Sequence, residues 1–115
     1  TGEETVDYMI QDDDSIKYDI FSNSMGTATR ESGEFLRNDI LNILTRTNAG
    51  IILDFAGVKT VSSSFVDELI AKLVLRLGII KFNQLIRMIN MNDDVKFLCE
   101  RSIYMRIYEA WRALQ

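Results

Sequence analysis

Hydrophobic and polar positions alternate over SIKYDIF, where Ile16, Tyr18 and Ile20 face away from Lys17 and Asp19. That period of two predicts a half-buried strand over Ser15 to Phe21. A preceding stretch, Thr5 to Ile10, is expected to pair beside it as a hairpin. After the polar segment SNSMGTAT the period changes. Leu36, Ile40, Ile43 and Leu44 fall on one helical stripe, with Phe35 alongside and Glu31 near the start, which predicts a helix from about Thr29 to Thr47. Asn48-Ala49-Gly50 ends it. Ile51, Ile52 and Leu53 then form a short continuous apolar run closing at Asp54, the pattern of a central strand buried on both faces.

Beyond that strand, the segment Ser64 to Leu77 is apolar nearly all round (Phe65, Val66, Leu69, Ile70, Leu73, Val74, Leu77) and stops at Gly78. A helix of this kind is covered on more than one side, so a further packing surface is implied. Leu85 to Met91 reads as another strand. Asn92-Asp93-Asp94 caps a last helix carrying Val95, Leu98 and Ile103, continued by the amphipathic tail IYEAWRAL.

Strand and helix alternate with short connections, which predicts an α/β sandwich: a mixed sheet with parallel central strands and about three main helices. Residues 1–14 form an acidic lead-in, belonging to the first hairpin if it forms; residues 15–106 form the domain and residues 107–115 a helical tail. In such sheets ligands and partners meet the loops at the carboxyl ends of the strands, and Asp54 to Ser64 is one of those loops.

Composition narrows the function. The chain has 115 residues, 47% of them apolar, enough for one domain with an ordinary core. It opens on Thr1 rather than Met, as expected of a processed or excised piece. There is no histidine and a single cysteine, Cys99, which removes internal disulfides, the common zinc sites and His-dependent triads. The net charge of −4 divides into −6 over residues 1–14 and +2 over the rest. Lysines and arginines are scattered singly, as on solvated helix faces, so no nucleic-acid partner is expected, and a nucleic-acid-associated module is the weakest of the readings. The three aspartates at 12–14 lack the glycine and distal glutamate of a calcium loop. No apolar run approaches a membrane span and no basic-then-apolar leader opens the chain, so a cytoplasmic protein without membrane contact is expected. Cys99 and Phe65 read as core, and Tyr108 and Trp111 as packing for the tail or as a partner contact.

The residues Asp54, Phe55, Gly57, Val58, Ser62, Ser64, Phe65, Asp67, Glu68 and Leu69 give the pattern DF-x-GV followed by S-x-SF-x-DEL, and Thr29-Arg30-Glu31-Ser32-Gly33 precedes them at a helix start. In this the chain resembles a bacterial STAS-like domain family of unassigned function, and more distantly the STAS domains of anti-sigma factor antagonists, over about Ser15 to Arg106. The resemblance implies a regulatory domain. In the antagonists a loop serine is phosphorylated by a histidine-kinase-like ATPase, and by position Ser64 matches it. Ser62 stands where those domains carry the loop aspartate, and Phe65 where they carry a glycine.

Ser64 and Asp67 also have capping-box spacing, so Ser64 is expected to begin the helix and to bond its first-turn N–H groups. Asp67 and Glu68 suit the positive end of the helix dipole. The expectation is a non-enzymatic protein-interaction module without cofactor or metal, a monomer or weak homodimer. Its contact surface would be Ser62, Ser63, Ser64, Phe65, Asp67 and Glu68, with Ser64, and less favourably Ser63 or Ser62, accepting phosphate. The alternative is a small acidic-site enzyme or nucleotide-binding domain using Asp54, Asp67 and Glu68.

Overall fold

A computed structural model describes residues 15–47 and 49–115. The Thr5 to Ile10 pairing, the acidic lead-in and Asn48 lie outside them. The chain order is strand β1 (Ile16–Asp19), a short helix α1 (Ile20–Asn23), helix α2 (Arg30–Thr47), strand β2 (Ile51–Asp54), helix α3 (residues 63–77), helix α4 (Ile79–Leu85), strand β3 (Ile86–Ile89) and helix α5 (Asp93–Ala113). Within α3, two α-helical pieces, Ser63–Val66 and Lys72–Leu77, flank a π-helical turn at Asp67–Ala71.

The sheet has the order β1-β2-β3. β2 is central and pairs in parallel with both neighbours, Leu53 standing between Tyr18 and Met88. An antiparallel member of the expected mixed sheet has no counterpart among the described residues. The continuous apolar run makes a strand with every residue buried, whereas the alternation in β1 buries Ile16 and Tyr18 and exposes Lys17.

Two boundaries differ from the sequence reading. β1 ends at Asp19 rather than Phe21, because the Asp19 carboxylate accepts hydrogen bonds from the Ser22 N–H and hydroxyl, each at 3.1 Å, and so caps a helical turn. Ile20 still points into the core, while Phe21 is left 60% exposed. The segment expected to run directly into a strand at Leu85 instead contains α4, anchored by the buried Phe82 with Leu85 packed beside the core. With the short α1 and α4 the described residues hold five helices, where about three main ones are expected.

α3 is the hub. Phe65, Val66, Leu69, Ile70, Leu73 and Val74 are all buried, and α3 touches both α2 and α5. The packing surface implied by its all-round apolarity is therefore supplied within the chain. α2 comes so close that a Cβ on Gly33 would lie 2.6 Å from the Phe65 carbonyl oxygen and 3.0 Å from the Glu68 Cβ. Only glycine permits that approach. On α2 the stripe is narrower than its pattern suggests: Leu36 and Ile40 are buried, Ile43 and Leu44 half-buried and Phe35 half in solvent. The last helix runs from Asp93 to Ala113 without interruption and is capped by the Asn92 side chain, which accepts from the Val95 N–H at 2.8 Å.

Candidate functional site

The β2–α3 loop is pinned before the serines begin. The Asp54 carboxylate accepts from the Ala56 N–H and the Asn90 side-chain amide, both at 2.9 Å, and pairs with Lys17 at 3.1 Å. The bond from Asn90, then that from Ala56, holds its pKa below the ordinary carboxylate range. Val58 N–H closes a turn onto the Phe55 carbonyl, with Gly57 at a φ of +86° that favours glycine. Farther on, Thr27 bonds the Thr60 carbonyl through its hydroxyl at 2.7 Å and receives the Ser62 N–H at 3.0 Å, so the loops after β1 and β2 are tied together.

The three serines then divide their work differently from expectation. Ser62, in extended backbone, is the N-cap: its Oγ accepts from the Phe65 N–H at 2.9 Å. The helix therefore starts one residue before Ser64, and the capping-box reading of Ser64 with Asp67 is corrected. The reason is electrostatic. A carboxylate at position 67 has guanidinium groups within reach and turns to them instead of back to a single N–H. Ser63 is exposed and Ser64 half-buried, and neither hydroxyl has a hydrogen-bond partner among the described residues.

In the π-turn two adjacent acids share Arg30 of α2 and otherwise take different partners. Asp67 takes a bidentate contact from Arg106 of α5, at 2.7 and 2.6 Å, and a third bond from Arg30 of α2 at 2.9 Å. Arg106 foremost, with Arg30, outweighs partial burial and holds the Asp67 carboxyl down at about 2. Glu68 is 4% exposed. Burial pushes its pKa up, but bonds from Lys72 at 2.6 Å, Arg30 at 2.8 Å and Arg37 at 2.8 Å prevail and lower it to about 2. Arg37 also donates to the Glu68 backbone carbonyl at 2.7 Å. These two carboxylates knit α2, α3 and α5 into one unit.

Against this knot lies a groove of about 400 Å³. One wall is the first turn of α3 with Ser63, Ser64 and Asp67, and the other is α5 with Leu98, Arg101, Ser102, Met105, Arg106 and Glu109; Arg30 closes one end. Three guanidinium groups thus face two carboxylates, both of which also have cationic partners. Phe65, expected as a contact residue, is fully buried and belongs to the core, as is Val66 beside it. Glu68 is likewise withdrawn from the surface. Arg30, Arg101 and Arg106 were not legible as site residues, because they are scattered singly along the sequence and meet only through the packing of α2 and α5 on α3.

The three acids of the alternative reading do not form one group. Asp54 is held by Lys17, Ala56 and Asn90, whereas Asp67 and Glu68 are held by an unrelated set of cations. No cluster of three or more Asp, Glu, Cys or His residues able to hold a metal ion occurs among the described residues. Cys99 is buried on the inner face of α5, which pushes its thiol up to about 12 and leaves it unreactive at neutral pH. Among the described residues no helix is long and apolar enough to cross a membrane.

Neither the curated proteins nor the solved structures gave a match to this chain. A family model described as a STAS-like domain of unknown function (DUF4325) matches residues 32–96, from the inner face of α2 through the β2–α3 loop to the start of α5. That span exceeds half of the sequence and contains the whole Asp54 to Leu69 motif, and the chain belongs to this STAS-like family.

Proposed function

We propose that the domain is a regulatory protein-interaction module whose contact surface is the groove at the start of α3, with Ser64 as the residue whose modification switches it. The observation that carries this reading is the pairing of unbonded hydroxyls with arginines. Ser63 and Ser64 line one wall, and Arg30, Arg101 and Arg106 stand across the same groove. A phosphate adds about −1.5 to −2 charge and three strong acceptors. Here it would meet the N-terminal end of a helix and guanidinium groups rather than bare carboxylates, since Asp67 and Glu68 are already compensated. Ser63 is the second acceptor by the same geometry, and Ser62 the least favoured because its hydroxyl caps the helix. A histidine-kinase-like ATPase is the partner that this family resemblance suggests, in a cytoplasmic setting.

The test is intact mass of the protein co-expressed with its genomic neighbours, followed by capture of those neighbours by wild type, Ser64→Asp, Ser64→Ala and Arg101→Ala. The expected result is an added phosphate on the wild type, retained capture by Ser64→Ala and weakened capture by Ser64→Asp and Arg101→Ala, all with near-native melts. No phosphate together with equal capture by all four proteins would overturn both the switch and the surface.

A further inference from the structure

The inward face of α5 is accounted for: Val95 and Cys99 are buried, and Leu98, Ser102, Met105 and Arg106 turn toward the groove. The opposite face has no such cover among the described residues. Phe97, Tyr104, Ile107, Trp111 and Leu114 are 62, 66, 40, 56 and 83% exposed. Their spacing is regular. Taking Phe97 as position a of a heptad, Tyr104 and Trp111 are the next two a positions, and Glu100, Ile107 and Leu114 are the d positions. Tyr108, adjoining the seam, stacks on Tyr104 with ring centroids 6.3 Å apart and lies under the Arg112 guanidinium at 5.9 Å. The aromatic face is thus pre-ordered.

We propose that this seam pairs with a second copy of the same chain, α5 against α5, antiparallel across a two-fold axis. Charge sets the direction. Arg101, Arg106 and Glu109 line the groove on the other side of α5, so the charges that bear on the seam are Glu100, at a d position, and Arg112. Parallel pairing would place Glu100 on Glu100; antiparallel pairing brings it beside Arg112 of the other copy. With a facing d, Phe97 meets Leu114, Tyr104 meets Ile107, and Glu100 meets Trp111 of the other copy. The one charged residue in the seam then faces an indole N–H, with Arg112 adjoining. The area is also adequate. Aromatic side chains bury about 150–250 Å² each, so full cover of the exposed parts of the five apolar seam residues would remove at most roughly 600 Å² per copy and 1,200 Å² in total, the lower edge of specific interfaces. An interface at that edge belongs with weak, reversible associations. All five seam residues lie beyond residue 96, where the family match ends, so the pairing is a feature of this chain outside the matched span.

Sedimentation velocity from about 1 µM to 1 mM tests it. The wild type is expected to pass from monomer to dimer. Tyr104→Glu and Trp111→Glu should each weaken association at least tenfold while melting like wild type at the dilute end. Charge reversal is the stricter arm: Glu100→Arg and Arg112→Glu each weaken the dimer, and the double variant recovers at least part of the loss. A wild type that stays monomeric throughout, or a dimer untouched by both aromatic variants, overturns the proposal. Flotation with phosphatidylserine vesicles covers the other occupant such a face could take. Vesicle binding by a monomeric wild type, lost in Trp111→Glu, would assign the face to membranes and reject the dimer.

Discussion

The contact between α2 and α3 and the outward face of α5 invert the usual distribution in opposite senses. The first takes a carboxylate out of water; the second leaves three large aromatics in it. Both cost free energy, and the difference lies in where the compensation comes from. Glu68 is satisfied wholly within the chain by Arg30, Arg37 and Lys72, so its cost is closed when the domain folds. Phe97, Tyr104 and Trp111 have no comparable apolar cover among the described residues, and the proposed second copy would supply it. A buried charge with three partners fixes the arrangement of helices, whereas an exposed apolar stripe points outward to assembly.

Removing the internal compensation should give the largest effect. Glu68→Gln keeps the shape of the side chain but leaves Arg37, whose side chain is only 14% exposed, without its counter-charge. The expected loss is about 3–5 kcal/mol, read by urea unfolding, because one partner of a buried pair remains uncompensated. A change below about 1 kcal/mol would mean that the knot is ornamental and the comparison fails on that side. The same pair predicts an acid response. Asp67 and Glu68 both titrate near 2 when folded, against 3.8 and 4.5 ordinarily. Depressed folded values mean that their stabilisation is complete above about 4.5 and is lost as the pH falls from there toward 2. The wild-type melting temperature should therefore drop across that window, and Glu68→Gln should flatten the slope.

Gly33→Ala attacks the same contact from the other helix. The added methyl would sit 2.6 Å from a backbone oxygen of α3, and that carbonyl cannot swing aside as a side chain can. α2 and α3 must separate, at a cost of about 2 kcal/mol net of the better helix propensity of alanine. An unchanged midpoint would show that the helices have slack here.

These two positions also mark how far the sequence could be read. The central strand was legible because a continuous apolar run bounded by Gly50 and Asp54 permits little else, and α3 because its apolarity on every side demands cover. The motif Asp54 to Leu69 carried the family. The knot was not legible. Asp67 and Glu68 read as ordinary first-turn acids suited to a helix dipole, and nothing local reveals that Asp67 bridges α5 and α2 while Glu68 is buried against α2. Ser64 reads as the cap because its spacing to an acid fits a known motif; the chain uses Ser62, since Asp67 has stronger partners elsewhere. α4 was missed because Ile79-Ile80-Lys81-Phe82 contributes only Phe82 to the core and so lacks the stripe that marks a helix. For the knot and the cap the deciding interactions are long-range, between side chains that pattern alone does not bring together.

Capping gives a smaller and sharper contrast. Ser62→Ala removes the acceptor for the Phe65 N–H and should cost about 1 kcal/mol. Ser64→Ala removes a hydroxyl without a partner among the described residues and should leave chemical denaturation within about 0.5 kcal/mol of wild type. If the two variants exchange these effects, Ser64 is the cap after all, and a hydroxyl engaged in that way is less free to serve the proposed groove.

The smallest expected effect tests the other half of the comparison. Phe97→Ser deletes a large aromatic, which in a core would cost several kcal/mol, as would be expected at Phe65 or Phe55, both fully buried. At a site that is 62% exposed it removes little contact with the rest of the molecule. Measured at about 1 µM, where a weak dimer is dissociated, the variant should unfold within about 0.5 kcal/mol of wild type. At high concentration the wild type gains from self-association by mass action and the variant does not, so the gap between them should open as protein is added. A loss of 2 kcal/mol or more already present at 1 µM would place Phe97 in the monomer's own core and remove the stripe from the list of outward-facing surfaces. A gap that stays near zero at every concentration would show that the face, though apolar, confers no self-association.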